Sequence, residues 1–415
     1  MSKRLELVWP NKEKVLLRLE ENGKPVWGTK ADLESRLLVQ LEKIGKVNPD
    51  NLDNLYEQSD NLLIKGDNLL ALKALERHFA GQIKCIYIDP PFNTGGAFEH
   101  YDDGLEHTIW LSMMKCRLEL LWKLLKDDGA IFVEIDDDMM AHLKVIMDEI
   151  FGRSNFLCTI IWQKAFAPVN LRKGFSDNHD FILGYAKKND QFKLNPLPRT
   201  EKQGKRYSNP DNDPRGDWTS SDFSVGPVVP EKVYPIKTPS GRTILPTKGR
   251  CWVVTKERYK ELLKDNRIWF GKTGNNVPRQ KKFLSEVNEG VVPMTIWLRD
   301  EVGDNQEGKR EIKEIFKTEG QVFSTPKPER LIKRIIELST KPGEWVLDSF
   351  LGSGTTAAVT HKLNRKWIGI EIGEHAETLC LPRLKRVVTG KDETGISEEV
   401  NWKGGILLPI SDRVG

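Results

Sequence analysis

The chain has 415 residues, of which 38% are hydrophobic and 30% are charged, so it is long enough for two or three structural units with their own cores. Its five cysteines are scattered without a CxxC pair or a Cys/His cluster, so they indicate neither a disulfide framework nor a zinc site. The first residues are charged where a signal peptide needs an apolar core, and no apolar run approaches the length of a membrane span. These features predict a cytoplasmic protein.

The net charge of +4 is too small to indicate a polyanionic partner by itself, but the charge is unevenly distributed. Residues 187–285 contain 22 Lys and Arg against 10 Asp and Glu, which leaves the rest of the chain net negative. A positive segment of this kind can hold a polyanion by its phosphates. The alternative is a solvated basic surface that has no partner.

Residues 1–58 are charged and mostly compatible with helix, with an amphipathic run near residues 33–44. They predict an N-terminal helical region that supports the core or mediates dimerisation. The core is expected to begin at residue 59, because strand and helix signals alternate over residues 59–186 with the spacing of β-α-β units.

Residues 187–320 differ from their surroundings in composition. They are rich in Pro, Gly, Asn and basic residues, and they contain only short strand-like pieces. This pattern is typical of an inserted, loop-rich recognition domain. The α/β pattern returns over residues 321–388, and residues 389–415 are predicted to form a C-terminal tail.

The tetrapeptide Asp89-Pro90-Pro91-Phe92 directly follows the apolar run IKCIYI, which predicts a buried parallel strand. The acid is therefore expected at the carboxyl end of that strand, where open α/β sheets bind their ligands. The two prolines remove two backbone donors and leave carbonyl oxygens that can accept hydrogen bonds from an amino group. Phe92 is placed to stack on a ring. A flipped nucleobase offers both an amino group and a ring face.

A second strand-to-helix turn carries Gly352 and Gly354, and Glu371 ends the strand after it. Taken alone, this pattern fits NAD as well as S-adenosylmethionine, because both present a ribose diol to the acid and need close approach of the backbone. Asp348 favours the methyl donor, since it suits a cationic amino group and would repel a pyrophosphate. Asp67 suits an adenine edge. The Asp-Pro-Pro-Phe tetrapeptide adds a site for the acceptor of the methyl group, which a dehydrogenase lacks.

The two motifs, their order and the segments YIDPPFNTG, DGLEHTIWLSMMKCRLEL and DSFLGSGTTAA resemble the β-class amino-methyltransferases of DNA. The resemblance is particularly to the modification subunits of type III restriction systems and their stand-alone relatives, and it covers most of residues 59–388. It implies a Rossmann-like α/β methyltransferase that uses S-adenosylmethionine and carries an inserted target-recognition domain. Because the glycine turn follows the tetrapeptide, the chain is expected to be circularly permuted relative to a linear methyltransferase.

The site residues divide into three predicted groups. The predicted catalytic residues are Asp89, Pro90, Pro91 and Phe92. The predicted cofactor-binding residues are Asp67, Asn68, Lys327, Asp348, Phe350, Gly352, Ser353, Gly354, Thr355 and Glu371. The predicted DNA-binding residues in the basic segment are Lys202, Lys205, Arg206, Arg279, Lys281 and Lys282.

Two assignments within these predictions have alternatives. Lys327 matches a segment that the resembled family uses beside the methionine carboxylate, but it could equally be an ordinary lysine at a helix start. His179 and Asp180 resemble a family element near the target base, or they simply begin a strand.

The resemblance implies methylation at adenine N6, with cytosine N4 as the alternative, because the tetrapeptide begins with Asp rather than Ser. The methyl group would pass directly from sulfur to nitrogen, since no Pro-Cys dipeptide supplies a covalent nucleophile. A DNA- and cofactor-binding subunit without turnover and an RNA-modifying enzyme are the competing interpretations. The expected partners are duplex DNA, a second copy of the chain, and a separate nuclease or translocase subunit, with no membrane.

Overall fold

Apolar strands that pair in parallel form the centre of the protein, seen here in a computed structural model. The structure describes residues 5–20, 24–33, 36–44, 61–93, 97–98, 101–102, 106–168, 174–199, 204–287, 290–316, 325–405 and 408–414. The strands of these residues are β1 (Val15–Leu19), β2 (Pro25–Gly28), β3 (Leu38–Ile44), β4 (Asn61–Lys65), β5 (Ile83–Ile88), β6 (Ala97–Phe98), β7 (Tyr101–Asp102), β8 (Leu125–Ile135), β9 (Phe156–Gln163), β10 (His179–Ala186), β11 (Trp218–Asp222), β12 (Ser224–Val225), β13 (Ile236–Lys237), β14 (Thr243–Ile244), β15 (Cys251–Trp252), β16 (Ile268–Trp269), β17 (Arg279–Phe283), β18 (Ile296–Trp297), β19 (Trp345–Asp348), β20 (Lys366–Glu371) and β21 (Leu408–Val414).

The helices of the described residues lie mainly between these strands. They are α1 (Asn68–Phe79), α2 (His107–Leu124), α3 (Asp137–Met147), α4 (Lys256–Lys264), α5 (Arg299–Val302), α6 (Asn305–Phe316), α7 (Glu329–Ser339), α8 (Thr355–Lys362) and α9 (Leu381–Val388). Among the described residues, no helix combines the length and the apolar character that a bilayer crossing requires.

The chain divides into two compact units, of which unit 1 comprises residues 1–195 and 294–415. Its main sheet has the strand order β18-β9-β10-β8-β5-β19-β20-β4-β21-β3. The six strands from β8 through β21 in this order are parallel to one another. Strand β10 is antiparallel to both β9 and β8, and β3 is antiparallel to β21. Every residue of β5 is buried, as expected for a strand that is covered on both faces. The mixed α/β architecture is that predicted from the alternating strand and helix signals.

Unit 2 comprises residues 196–293 and has its own hydrophobic core. Strands β11, β17 and β16 form an antiparallel sheet, and short two-stranded ladders join β12 to β15 and β13 to β14. Buried aromatic side chains of Phe223, Trp252 and Tyr259 pack together, with α4 contributing the last of these. A segment with this core can fold around its own apolar contacts.

Unit 2 begins later and ends earlier in the chain than the insertion predicted over residues 187–320. Residues 294–316 belong to unit 1, because β18 pairs with β9 and α6 packs against the backbone before α7. The second contact is close: a Cβ on Gly308 would lie 2.2 Å from the carbonyl oxygen of Pro326. Composition could not reveal these boundaries, since β18 has only two residues and α6 is as polar as the segment before it.

The prediction that residues 1–58 form a helical region is wrong for the part of this region that the structure describes. Where the structure describes this region, it contains strands: β1 pairs with β2 as a hairpin, and β3 pairs with β21. The amphipathic run near residues 33–44 has a helical period, but sheet pairing with the end of the chain determines its conformation. The predicted C-terminal tail is likewise integrated, because β21 lies between β4 and β3 in the main sheet.

Candidate active site

Four acidic residues lie at one edge of the main sheet, at the carboxyl ends of neighbouring parallel strands. Asp89 directly follows β5, Asp348 ends β19, Glu371 ends β20, and Asp67 lies two residues after β4. These strands are adjacent in the order β5-β19-β20-β4, so residues about 260 positions apart in the chain meet at the same edge. The two sequence motifs therefore belong to one site in unit 1.

A hydrogen bond from α2 fixes the position of the Asp-Pro-Pro-Phe turn. The indole Nε1 of Trp110 donates a 2.7 Å hydrogen bond to the carbonyl oxygen of Pro91. Pro90 is buried, whereas Phe92 is half-buried and packs against the main core. The turn therefore presents the Asp89 side chain, which is 25% exposed, at the edge of the sheet beside a partly accessible ring.

Lys327 is the main partner of Asp89. Its ammonium lies 3.2 Å from Asp89 Oδ2 and 2.6 Å from Glu134 Oε1, and the second oxygen of Glu134 accepts a 2.5 Å hydrogen bond from the Tyr87 hydroxyl. The same ammonium lies 5.2 Å from the centre of the Phe92 ring. Lys327 was predicted beside the methionine carboxylate of the cofactor; the structure places it against the acid of the tetrapeptide.

Glu134 and Tyr87 were missed in the sequence, although one signal was present. Glu134 is the only charged residue in the run AIFVEI of β8, and it is fully buried. An isolated acid at a buried strand position is rare without a partner, so it indicates a buried cation or a functional site. The partner could not be identified, since Lys327 lies 193 residues later.

The protonation equilibria of this cluster are shifted. Loss of hydration raises the pKa of Asp89 to about 6, with Lys327 acting in the opposite direction. Burial raises the pKa of Glu134 above its usual range, and again Lys327 opposes the shift. The nearby carboxylates outweigh the effect of burial on Lys327, so the pKa of its ammonium lies above its usual range. Lys327 is thus a fixed positive charge between two carboxylates.

Asp180 adds a further carboxylate near this cluster. It is almost fully buried at the start of β10, and its Oδ1 accepts a 2.6 Å hydrogen bond from the ammonium of Lys164. His179, beside it in the chain, lies 3.9 Å from a carboxylate oxygen of Asp137. The structure therefore places Asp180 with the acidic cluster and leaves His179 at the rim.

The glycine turn between β19 and α8 has the backbone shape predicted for close approach of a ligand. Gly352 and Gly354 have φ angles of 56° and 80°, which L residues with a side chain rarely adopt. The N–H of Gly352 donates to Glu371 Oε2 at 2.7 Å, and the N–H of Gly373 donates to Oε1 at 3.0 Å. Burial raises the pKa of Glu371, but His375 and these N–H groups outweigh it, so this pKa lies below its usual range.

Asp67 and Asn68 connect the glycine turn to the start of α1. Asp67 caps this helix, because its Oδ1 accepts hydrogen bonds from the N–H groups of Leu69 and Leu70. The Asn68 amide donates a 2.8 Å hydrogen bond to the Ser349 carbonyl oxygen. Arg117 donates to both residues. Their positions are therefore fixed before any ligand binds.

Asp348 and Ser349 carry the buried polar atoms of the turn. Burial raises the pKa of Asp348 to about 7, while the Thr356 hydroxyl and the Phe350 N–H lower it. The Ser349 hydroxyl is buried and has no hydrogen-bond partner among the residues that the structure describes. A buried polar atom of this kind calls for a partner such as a ligand. Ser353 and Thr355 lie in the same turn, and their hydroxyl groups are 3.2 Å apart.

A DNA methylase family model matches residues 83–380, which is most of the chain and spans both motifs. The chain belongs to the DNA methylase family. It is 33% identical over 410 residues to the probable type III restriction-modification enzyme HindVI Mod subunit of Haemophilus influenzae, covering 84% of this chain and 53% of that protein. It is 35% identical over 356 residues to the StyLTI Mod subunit of Salmonella typhimurium, covering 78% and 52%.

The chain also resembles the type II methyltransferase M.EcaI of Enterobacter cloacae, with 32% identity over 366 residues that cover 85% of this chain and 74% of that protein. The chain spans about half the length of the two Mod subunits. The resemblance to DNA methyltransferases and Mod subunits that the motifs predicted is therefore confirmed.

In unit 2, the predicted DNA-binding residues differ in accessibility. Lys205, Arg206 and Lys282 are exposed. Arg279 is also exposed, but it is paired with Asp222 at 2.8 Å. Lys202 lies outside the described residues.

Lys281 requires a correction. It was predicted to bind DNA, but its side chain is fully buried and its ammonium is paired with Asp211 and, at 3.2 Å, with Asp213. Strand β17 points this side chain inward and Lys282 outward. Lys281 therefore stabilises unit 2 and cannot reach a phosphate.

Proposed function

We propose that the chain transfers a methyl group from S-adenosylmethionine to the N6 amino group of adenine at a specific sequence in duplex DNA. The observation that carries this proposal is the adjacency of the Asp89 tetrapeptide and the glycine turn at one sheet edge. Membership of the DNA methylase family supports it, as does similarity to Mod subunits and to a type II methyltransferase.

The residues of the glycine turn fit S-adenosylmethionine. A Cβ on Gly354 would lie 3.4 Å from the Cα of Cys380, so the left-handed turn is in contact with the residue that precedes α9. Asp348 suits the ammonium of the methionine moiety, and the buried Ser349 hydroxyl is a polar group that a ligand could satisfy. Glu371 retains acceptor capacity for a ribose diol beyond the bonds that it already accepts. When bound, the cofactor supplies an electrophilic methyl group on a sulfonium.

The remaining cofactor assignments are also part of the proposal. Asp67 and Asn68 are held beside Ser349 and suit an adenine edge. Phe350, Ser353 and Thr355 belong to the turn itself and shape it. Lys327 contributes through Asp89, because its ammonium lies against that carboxylate.

The acceptor side must compensate for the weak nucleophilicity of an aromatic amine, whose lone pair is delocalised into the ring. Asp89 and the Pro90 carbonyl oxygen can accept the two amino hydrogens and draw the nitrogen toward tetrahedral geometry. Phe92 can stack on the ring of a base flipped out of the duplex. The nitrogen then loses one proton, which the Asp89 carboxylate can take up, as it gains the methyl group. The contribution of these residues is positional and electrostatic.

The experiment that tests the proposed function identifies the product. The purified protein is incubated with duplex DNA and a methyl-labelled donor, and the DNA is hydrolysed to nucleosides. We expect the label in N6-methyl-2′-deoxyadenosine. Label in N4-methyl-2′-deoxycytidine, or in structured RNA in preference to DNA in a competition assay, would overturn the acceptor assignment. Absence of any labelled product would favour a binding subunit without turnover.

Further parts of the proposal concern the whole assembly. Similarity to Mod subunits supports a role in restriction-modification, with cleavage of DNA performed by a separate nuclease or translocase subunit. Unit 2, with its excess of basic residues, is proposed to recognise the target sequence. The chain is proposed to act as a homodimer in the cytoplasm, and analytical ultracentrifugation of the purified protein tests the dimer.

A further inference from the structure

Glu134 does not contact the acceptor base or the cofactor in the proposed reaction, yet its carboxylate lies closer to the ammonium of Lys327 than that of Asp89 does. It extends from β8, the strand that pairs with β5 on the side opposite β19. Its Oε1 lies 2.6 Å from the ammonium, whereas Asp89 Oδ2 lies 3.2 Å from it. The cation is therefore shared unequally, with the shorter contact to the residue that is fully buried.

The position of Glu134 is itself fixed. Its other oxygen accepts the hydrogen bond from Tyr87, a buried residue of β5 that lies two positions before Asp89. Both carboxylate oxygens of Glu134 are thus engaged by donors on different elements, one on a strand and one on the segment before α7. A carboxylate held in this way cannot follow the cation if the cation moves toward Asp89.

We propose that Glu134 is a positioning residue for methyl transfer: it holds the ammonium of Lys327 back from Asp89, so that the Asp89 carboxylate stays open to the amino group of the acceptor base. This inference rests on the proposed function. Without the negative charge of Glu134, Asp89 would be the main counter-charge of Lys327. The ammonium would then move toward the Asp89 carboxylate. A carboxylate in a closed ion pair is a weaker acceptor for a neutral amine.

The charged groups that face Asp89 determine whether its pKa rises or falls in each variant. Lys327 approaches from the segment before α7, and Glu134 and Tyr87 lie on β8 and β5. Asp348 on β19 and Asp180 on β10, the latter paired with Lys164, both raise the pKa of Asp89. Removal of a negative charge from this group lowers the pKa of Asp89, and removal of the positive charge raises it.

The test measures single-turnover methyl transfer against pH for two variants with opposite expected shifts. In Glu134→Gln, we expect the acid limb of the rate profile to move to lower pH by about one unit and the plateau rate to fall about tenfold or more. In Lys327→Met, we expect the acid limb to move to higher pH by about 1–3 units. The dissociation constant of S-adenosylmethionine should change less than about twofold in both.

A third variant strengthens the test. Tyr87→Phe removes the hydrogen bond that stabilises the charged form of Glu134, so its acid limb should move in the same direction as that of Glu134→Gln, by a smaller amount. The matched control is Glu119→Gln on α2, which loses a charge that is paired with Lys30 and Lys115 away from the site. Its pH profile should follow that of the unmodified protein. Circular dichroism and thermal melting check that each variant is folded.

The outcomes separate this inference from the proposed function. If the unmodified protein methylates no duplex DNA, the proposed function fails. If it is active and the folded Glu134→Gln variant keeps the acid limb and plateau of the unmodified protein, Glu134 only fills space and the inference is overturned. A large rise in the dissociation constant of S-adenosylmethionine in Lys327→Met, without a shift of the acid limb, would place Lys327 at the cofactor and would also overturn it.

Discussion

Asp89 is the residue whose replacement should separate cofactor binding from turnover. In Asp89→Ala, we expect the single-turnover rate of methyl transfer to fall by roughly 10²–10⁴, because the amino group loses the acceptor that orients it. The affinity for S-adenosylmethionine should barely change, since the glycine turn is formed by other residues. Calorimetric titration of the cofactor and rapid-quench assays measure the two effects.

Asp127→Ala is the control for this experiment, because Asp127 is an exposed aspartate of β8 that is paired with Lys188. It should retain the activity of the unmodified protein. Activity of Asp89→Ala equal to that of Asp127→Ala would remove Asp89 from the assigned role.

At the residue scale, the sequence predicted the chemically distinctive positions and missed those that support them. Asp89 and Gly352 could be identified because a polar residue or a glycine follows an apolar strand, and that local pattern is visible in one segment. Glu134 could be recognised only as an unusual buried acid. Its contact with Lys327 depends on how β8 and the segment before α7 meet in space, which no local pattern contains.

Among the elements, α6 and the segment before α7 pack so closely that a single methyl group should disturb the site. In Gly308→Ala, the new Cβ would lie 2.2 Å from the Pro326 carbonyl oxygen and 3.0 Å from the carbonyl carbon of Lys327. We expect the free energy of unfolding to fall by roughly 1–3 kcal/mol and methyl transfer to slow, because the backbone that carries Lys327 must move. Urea unfolding and the methylation assay measure both effects.

Gly204→Ala is the matched substitution, since a Cβ at Gly204 would meet no atom within 4 Å and its φ angle lies outside the left-handed region. It should leave stability and activity almost unchanged. If Gly308→Ala behaves in the same way, the close contact does not restrict the position of Lys327.

A buried ionic network connects α7, α8 and the segment after α9. Glu329 lies 2.8 Å from the ammonium of Lys362, accepts from Arg383 at 2.8 Å, and accepts from the N–H of Ile396 at 3.0 Å. We expect Glu329→Gln to lower the free energy of unfolding by up to about 3–5 kcal/mol, because Arg383 loses a buried counter-charge and Lys362 is left with Asp392, 3.0 Å away. Urea denaturation followed by fluorescence measures this loss.

Glu337→Gln, on the same helix, provides the comparison for Glu329→Gln. Its carboxylate is partly exposed and is paired with Lys333 at 3.2 Å. Replacement should cost no more than about 1 kcal/mol, since exposed ion pairs contribute little. Equal losses in the two variants would mean that the network does not hold the segment after α9 in place.

The elements of the core were predictable from period and spacing, but those at the start and end of the chain were not. The strands β5, β19 and β20 are apolar runs that end in an acid or lead directly into one, so their type follows from the sequence. Strand β3 has a mixed pattern, and it is a strand because β21 pairs with it from the other end of the chain. Pairing between distant segments cannot be inferred from one segment alone.

For the whole molecule, the salt dependence of DNA binding tests whether unit 2 holds phosphates. Replacing Lys205, Arg206 and Lys282 together with Gln should weaken binding and flatten the plot of log affinity against log salt by about 0.9 for each phosphate that is no longer neutralised. Cofactor affinity should not change. Fluorescence anisotropy with labelled duplex DNA at several salt concentrations gives the slope.

The control for this measurement neutralises Lys30, Lys123 and Lys126, three exposed lysines of unit 1 that lie outside the basic segment. Their replacement with Gln should leave the slope within error of the unmodified protein. If the unit 2 variant also keeps the original slope while it remains folded, DNA is held by other residues and the basic surface has no part in binding.

The position of the two ends of unit 2 has a consequence for the redesign of proteins of this family. Leu197 and Val291 exchange two backbone hydrogen bonds, of 3.0 and 2.8 Å, so the first and last residues of unit 2 lie side by side. A segment with adjacent ends can be exchanged as a cassette, because the host chain needs only to meet the same two ends again. If unit 2 recognises the target as proposed, we expect a chimera that carries another family member's segment between these positions to acquire a new target. It would keep the residues of unit 1 that are proposed to bind the cofactor and accept the base.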